Sequence, residues 1–416
     1  MIDDIIKKAA ENEWSVPMFS HSDWKELRQE YAVEGEIHPG IDTILPAFKR
    51  FIVENKPPMP ITRPTYREMK EAFYSLQKAR WLDFMETDFG EVYNKFQEKV
   101  DASGVIATTH THNSASAYWH NDLRYKCGYQ NRPSQGHIWE DPETYSKEFR
   151  SLMMFLWREF KDTKQVIDHN KYKEMFRLSG YVATQFKPLV AKVIYDGYRA
   201  KRVVDISCGW GDRLAGFYCS KAEEYVGCDP NGEVYEKYKL QCQEYEELLD
   251  TPLFPVDVKF TDHGDWFEMV GNKRVRIFNQ PAEEVDWDTV LDVKHDLMFT
   301  SPPYFGIEKY AGGQEDEDKQ SWKRYNEYSV WRDSFFYPVM DAMKKNCHRV
   351  MINIVDPVVN GERHPIEADI DKRYGIHEIV GMRMARRPSG QKDDSFIVDG
   401  ERLNFIEPIY IVEGTK

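Results

Sequence analysis

The sequence predicts an α/β protein: a mostly parallel sheet with helices on both faces, preceded by a mainly helical amino-terminal region. Three observations carry this expectation. From about residue 176, short apolar runs alternate with amphipathic stretches, the pattern of parallel strands joined by helical crossovers. Two of those runs end abruptly, one at a glycine loop and one at a Pro-Pro step. Before residue 176, apolar residues recur instead at helical spacing, as in 66–81 and 145–160.

In order, Pro57-Pro58-Met59-Pro60 reads as a loop, because proline forbids regular pairing. Residues 104–136, rich in Thr, His, Asn, Ser and Gly, read as irregular structure with exposed aromatics. The spacing then predicts a helix over 185–198, a strand over 202–206 and a helix near 214–220. A strand over 224–228 and a helix over 234–249 follow. Strands are expected at 256–261, 275–279 and 296–300, then a helix over 331–346 and a strand over 349–355. Residues 376–385 and 406–413 suit a terminal antiparallel pair. The acidic run Glu315-Asp316-Glu317-Asp318 reads as a mobile, solvated loop.

A chain of 416 residues suits two domains, expected at 1–175 and 176–416. Its 41% hydrophobic content excludes a disordered protein. The sequence has no apolar run of membrane-spanning length, and Met1-Ile2-Asp3-Asp4 is not a secretory leader, so a cytoplasmic protein is expected. Six cysteines without paired spacing suit reduced thiols. The net charge of −14 argues against a protein coated in nucleic acid, but a local basic face remains open. Residues 49–80 carry eight basic groups against three acidic ones, net +5; the plain alternative is a solvated helix face.

The segment Val203-Val204-Asp205-Ile206-Ser207-Cys208-Gly209-Trp210-Gly211-Asp212-Arg213 is an apolar strand running into a glycine turn and a helix. That arrangement binds nucleosides at the carboxyl end of a parallel sheet. Gly209 and Gly211 let the backbone approach a ligand. No Gly-Lys-Ser/Thr follows, which excludes a phosphate loop. Asp229 ends the next strand, 24 residues after Asp205, where a carboxylate accepts from both hydroxyls of a ribose. The alternative is a turn that only packs the fold.

The second segment, Asp296-Leu297-Met298-Phe299-Thr300-Ser301-Pro302-Pro303-Tyr304, is a buried strand that stops at a rigid step. Two prolines fix the backbone and remove two amide donors. Ser301 adds a hydroxyl acceptor, and Tyr304 offers a face for stacking. Such acceptors suit the hydrogens of an exocyclic base amine, whose lone pair is otherwise delocalised. The alternative is a strand terminator with a packed tyrosine.

The order of these motifs resembles the amino-directed DNA methyltransferases that use S-adenosylmethionine. Phe186-Lys187-Pro188 resembles their upstream cofactor-pocket motif, Asp205 to Gly211 their methionine-side glycine motif, and Asp229 their ribose-binding acid. Gln280-Pro281-Ala282-Glu283 stands where the adenine-contacting segment is expected, and Ser301-Pro302-Pro303-Tyr304 resembles the catalytic motif. The likeness covers residues 176–416. It implies a class I methyltransferase-like, seven-stranded, mostly parallel sheet, with S-adenosylmethionine held by Phe186, Pro188, Asp205, Ser207, Gly209, Gly211, Asp229, Gln280 and Ala282. It implies that a DNA base is extruded into the pocket, that Tyr304 stacks on it, and that Ser301, Pro302 and Pro303 form the catalytic step. A methyl group then passes in line to nitrogen, driven by positioning. Ser at the first position is more typical of N4-cytosine enzymes than of N6-adenine enzymes.

No target-recognition insert is evident, so the amino-terminal region or the basic residues Arg383, Arg386, Arg387 and Lys392 are expected to contact the substrate. His110, His112, His120, Cys127 and His137 form no metal-binding pattern, and no metal is expected. Trp119, Tyr125 and Tyr129 suit either a base-stacking platform or core packing, and Arg213 either an internal ion pair or a substrate contact. Two other readings stay open: the same cofactor with RNA, a nucleotide or a modified base as acceptor, and a methyltransferase-like module that binds without catalysis.

Overall fold

The computed structural model describes residues 1–158, 166–249, 255–312, 315–384, 397–398 and 401–415. The chain divides into two compact units. One comprises Met1–Arg63 and Asp122–Thr184, the other Pro64–Asn121 and Gln185–Lys416.

The first unit is helical. Its helices Ile2–Ala9, His21–Glu30, Ile41–Asn55, Ser146–Arg158 and His169–Leu178 converge on one apolar core. Trp24 and Trp157 meet edge to face there, 4.9 Å between ring centroids. Tyr125 packs on the same core through Phe176, and Tyr129 lies against Tyr181.

The second unit is built on a thirteen-stranded sheet. In chain order its strands are β1 Met85–Glu86, β2 Val92–Tyr93, β3 Lys99–Val100, β4 Gly104–Ile106, β5 Arg202–Asp205 and β6 Glu224–Cys228. They continue with β7 Lys259–Asp262, β8 Trp266–Val270, β9 Arg274–Phe278, β10 His295–Thr300, β11 Cys347–Asn353, β12 Glu378–Arg383 and β13 Asn404–Glu413. The spatial order β9-β6-β5-β10-β11-β13-β12 is parallel except for β13, which runs antiparallel to both neighbours. This is the seven-stranded, mostly parallel arrangement of a methyltransferase-like fold.

Helices α1 Tyr66–Lys78, α2 Ser114–Arg124, α3 Pro188–Gly197, α4 Asp212–Tyr218 and α5 Gly232–Leu249 belong to this unit, α2 through its residues up to Asn121. Every residue of β6 is buried, as expected of a strand covered on both faces. Pro188 begins α3 at its first turn, where a missing N–H costs nothing. Thr65 and Glu68 form a reciprocal capping box at the start of α1.

Three expectations differ from the structure. Residues 64–121 join the sheet unit, not a helical domain ending at 175, because β4 pairs in parallel with β12 and β1 pairs with β4. Residues 104–136 are not irregular: they contain β4, α2 and the start of the helix Gln135–Glu140, and tertiary pairing overrides their weak local pattern. A hairpin, β7 and β8, precedes β9, where a lone strand was expected. The terminal antiparallel pair is present as β12 and β13.

Candidate functional site

The parallel strands end together, and the loops that follow them meet there. Gly209 and Gly211 both adopt positive φ, +58° and +67°, which a side chain rarely tolerates. Their surroundings differ. A Cβ on Gly209 would meet nothing closer than 3.7 Å, so this side of the turn is open to a ligand. A Cβ on Gly211 would lie 2.2 Å from Gln241 Oε1 and 2.8 Å from His120 Nε2, so this glycine serves packing.

Behind Gly211 lies a buried polar network. His120 Nε2 and Gln241 Oε1 are 2.9 Å apart, and Gln241 donates to the Gly211 carbonyl at 3.0 Å. Gln241 also donates to Tyr245, whose hydroxyl donates to Ala115 O at 2.6 Å. Burial drives the His120 pKa down to about 4, so the ring is neutral near pH 7. Gln185 donates to Asp212 at 2.9 Å, to Ser116 at 3.1 Å and to Asn113 O at 2.9 Å. Helix α2 thereby grips the turn from behind.

Asp205 is fully buried and already engaged. It accepts from Arg213 Nε at 2.8 Å and Nη2 at 3.2 Å, from Tyr225 at 2.7 Å and from Thr300 at 3.0 Å. Its place in the site is to position the turn, and Arg213 is its ion-pair partner. Asp229 is different. Its carboxylate accepts from the N–H of Gly209 at 2.9 Å and of Asn231 at 3.0 Å, and the Tyr238 hydroxyl lies 3.4 Å away. Burial, tempered by these donors, raises its pKa to about 6. Oδ1, which accepts only from Asn231, keeps a lone pair for a further donor.

Beyond β9, Asn279 Oδ1 is buried with no hydrogen-bond partner among the described residues. A buried acceptor without a protein donor is open to a water or a ligand that supplies one. Ala282, three residues on, is buried, whereas Gln280 donates to Asp265 at 3.3 Å. Phe186 meets Phe299 edge to face and lies under the Arg213 guanidinium, while Pro188 is buried in α3. The acidic run is not free in solvent: Asp316 accepts from the Gly232 N–H at 2.8 Å, at the start of α5 where a carboxylate is favoured. Tyr310 lies 5.8 Å from the Trp210 ring centre.

The two motifs touch through Ser207. Its hydroxyl lies 2.8 Å from both Thr300 Oγ1 and the Ser301 carbonyl. Pro302 is buried, and among the described residues no hydrogen bond engages its carbonyl. Tyr304 packs against the central core and donates to Glu407 Oε1 at 3.0 Å, with Asn353 O at 3.5 Å. The next residue, Phe305, sits in an aromatic cluster with Tyr328, Trp331 and His364.

Of the basic residues expected to meet substrate, Arg383 is held by Glu86; Arg386, Arg387 and Lys392 lie outside the described residues. Within residues 49–80, Arg50 pairs with Asp3, Arg63 with Asp122, Arg67 with Glu71 and Arg80 with Asp83, which offsets much of the expected basic face. Trp119 belongs to the sheet unit and Tyr125 and Tyr129 to the helical one, so they do not share one compact unit. Reading the sequence missed Asn279, Tyr238, Gln241 and Glu407, and named His120 only as one of five residues without a metal-binding pattern. Asn279 directly precedes the expected adenine segment and was within reach of the pattern; Tyr238 and Gln241 lie on the helix that follows Asp229 but carry no motif of their own, and Glu407 comes from a strand distant in sequence.

No protein-family model matches the chain, and no curated protein matches it in sequence. Solved structures similar to it include the methyltransferase domain of bacterial-CtHen1-CN, at 13% identity and TM-score 0.29 over 54% of this chain and 96% of that one. Trm1 from Pyrococcus horikoshii in complex with S-adenosyl-L-methionine is 11% identical, at TM-score 0.29 over 55% of this chain and 57% of that one. The amino-terminal domain of EvdMO1 with SAH bound is 9% identical, at TM-score 0.29 over 56% and 82%. The fold of this chain is read from its own strand order.

Proposed function

We propose that this chain is an S-adenosylmethionine-dependent methyltransferase acting on an exocyclic amine of a nucleobase, with N4 of cytosine in DNA as the first acceptor to test and N6 of adenine the second. One observation carries the reading: Ser207, in the open glycine turn, is hydrogen-bonded to the carbonyl of Ser301, the first residue of the Pro-Pro-Tyr step. A nucleoside cofactor at Gly209 and an amine at Ser301 would therefore be neighbours, as direct transfer requires.

The residues present fit that cofactor. Gly209 leaves room, Asp229 Oδ1 holds a lone pair for a ribose hydroxyl, and the orphaned Asn279 Oδ1 suits an adenine amine. When bound, S-adenosylmethionine supplies an electrophilic methyl on sulfur. The chain's own residues do the positioning. Tyr304 offers a ring for stacking, while Ser301 Oγ and the Pro302 carbonyl offer acceptors to the amine hydrogens. Acceptors aimed at those hydrogens favour a pyramidal nitrogen and localise its lone pair. No metal and no shifted general base is needed for this step.

A second reading keeps the cofactor and changes the acceptor to RNA, a nucleotide or a modified base. It is motivated by the lack of an evident recognition insert and, for a free nucleotide or base, by the net charge of −14 and the internal pairing of Arg383, Arg63, Arg67 and Arg80. Ser301→Ala and Tyr304→Ala test the site. Each is expected to lower methyl transfer at least about tenfold, as expected for loss of one aligned contact, with cofactor affinity kept. Full activity in both would remove the Pro-Pro-Tyr step from the mechanism.

A further inference from the structure

Resting on that reading, we infer that the segment after the Pro-Pro-Tyr step is a strap across the cofactor site and that Asp316 is its latch, so that cofactor and product pass only when Asp316 releases Gly232. The described part of the strap is residues 305–312 and 315–325. Both of its ends are anchored. At the start, Phe305 is buried among Tyr328, Trp331 and His364. At the end, the Arg324 guanidinium forks onto Glu283, at 2.6 Å, and onto Glu284, and Tyr325 donates to Glu283 at 2.7 Å. Those two carboxylates directly follow Ala282, in the segment expected against adenine.

Between its ends the strap meets the other two loops proposed to hold the cofactor. The Tyr310 ring lies 5.8 Å from that of Trp210, which stands between the two glycines of the turn. Asp316 Oδ2 accepts from the Gly232 N–H at 2.8 Å, three residues after Asp229. The approach is close: a Cβ on Gly232 would collide with Asp316 Oδ2 and would reach Asn279 Nδ2 at 3.7 Å. The latch therefore stands beside the side chain whose Oδ1 has no protein donor. Trp322 Nε1 donates to the Tyr310 carbonyl at 2.8 Å, which ties the middle of the strap to its anchored end. A nucleoside held by Gly209, Asp229 and Asn279 lies within the three loops that the strap spans. A fork onto two carboxylates is a stronger fastening than one carboxylate on one backbone N–H, so opening begins at Asp316. Asp316 thus acts as a positioning residue, through the strap.

The test measures association and dissociation rates of S-adenosylhomocysteine on the full chain by stopped flow. Asp316→Ala removes the latch. Gly232→Ala keeps Asp316 but sets a methyl group against its carboxylate, at a position without positive φ, and should open the same latch. Asp316→Asn keeps an oxygen for the Gly232 N–H. D316A and G232A should each speed dissociation about tenfold, as loss of one charged hydrogen bond allows. Association should rise in step, with Kd kept within about threefold, because a gate fastened alike with and without ligand changes rates and not affinity. D316N should stay within about threefold of the unmodified chain in both rates. A residue that only touches the ligand would change dissociation alone. Unchanged rates in D316A and G232A, or faster dissociation with unchanged association, would overturn the inference and leave the methyltransferase reading standing. An unmodified chain that binds no S-adenosylhomocysteine would overturn both.

Discussion

Asp205 and Asp229 follow from neighbouring strands, yet their surroundings divide their work. Asp205 is saturated by Arg213, Tyr225 and Thr300, and Asp229 is held by two backbone N–H groups with a lone pair to spare. The Asp229 pKa, raised to about 6, lies above the ordinary aspartate value. The contribution of Asp229 to the stability of the unliganded protein, about 3 kcal/mol, is therefore fully present with the group protonated, below about pH 4, and is lost as pH rises through about 6. Ribose hydroxyls that donate to the carboxylate reverse the preference. Calorimetric titration with S-adenosylhomocysteine should show affinity rising from pH 5 to pH 7.5, with a proton released at the low end; Asp229→Asn should flatten the profile and weaken binding. The two glycines divide in the same way. Gly209→Ala should cost about 1 kcal/mol of stability from its positive φ and also weaken cofactor binding. Gly211→Ala should cost more, about 2 kcal/mol or above in urea unfolding, because its methyl collides with Gln241 and His120. Neither difference was legible in the sequence, which treats both glycines alike.

At the scale of elements, the strand-to-helix turn is stapled by one buried ion pair. Arg213, from α4, holds Asp205, from the end of β5, and its guanidinium also reaches the Ser207 carbonyl. Replacing Arg213 by Met leaves a buried carboxylate uncompensated and should destabilise the chain by about 3–5 kcal/mol in chemical denaturation; a loss below about 1 kcal/mol would mean that the pair is not what holds the turn. The parallel strands β5, β6, β10 and β11 were readable as short apolar runs bounded by turn residues, and β9 by the alternation of Arg274 and Arg276 with Val275 and Ile277. By contrast, β4 and α2 were not. Gly104-Val105-Ile106 is too short to carry a period, and it becomes a strand only because β12 lies beside it. That the two motifs belong to one sheet was suggested by motif order alone, whereas the hydrogen bond from Tyr304 to Glu407 depends on the antiparallel register of β13, which no local pattern encodes.

At the scale of the molecule, a helical unit with its own core accompanies a sheet unit that carries every residue of the proposed site. A net charge of −14 with many paired arginines suits recognition of a base by shape and hydrogen bonding more than by phosphate contacts. No described helix is long and apolar enough to cross a membrane. The central claim is methyl transfer to a base amine, and it is tested most directly by incubating the full chain with labelled S-adenosylmethionine and mixed-sequence DNA, then identifying the nucleosides by mass spectrometry after digestion. The account predicts label in N4-methyldeoxycytidine, or failing that in N6-methyldeoxyadenosine. Cofactor bound, but no label in any amino-methylated nucleoside from DNA, RNA or free nucleotides, would contradict it.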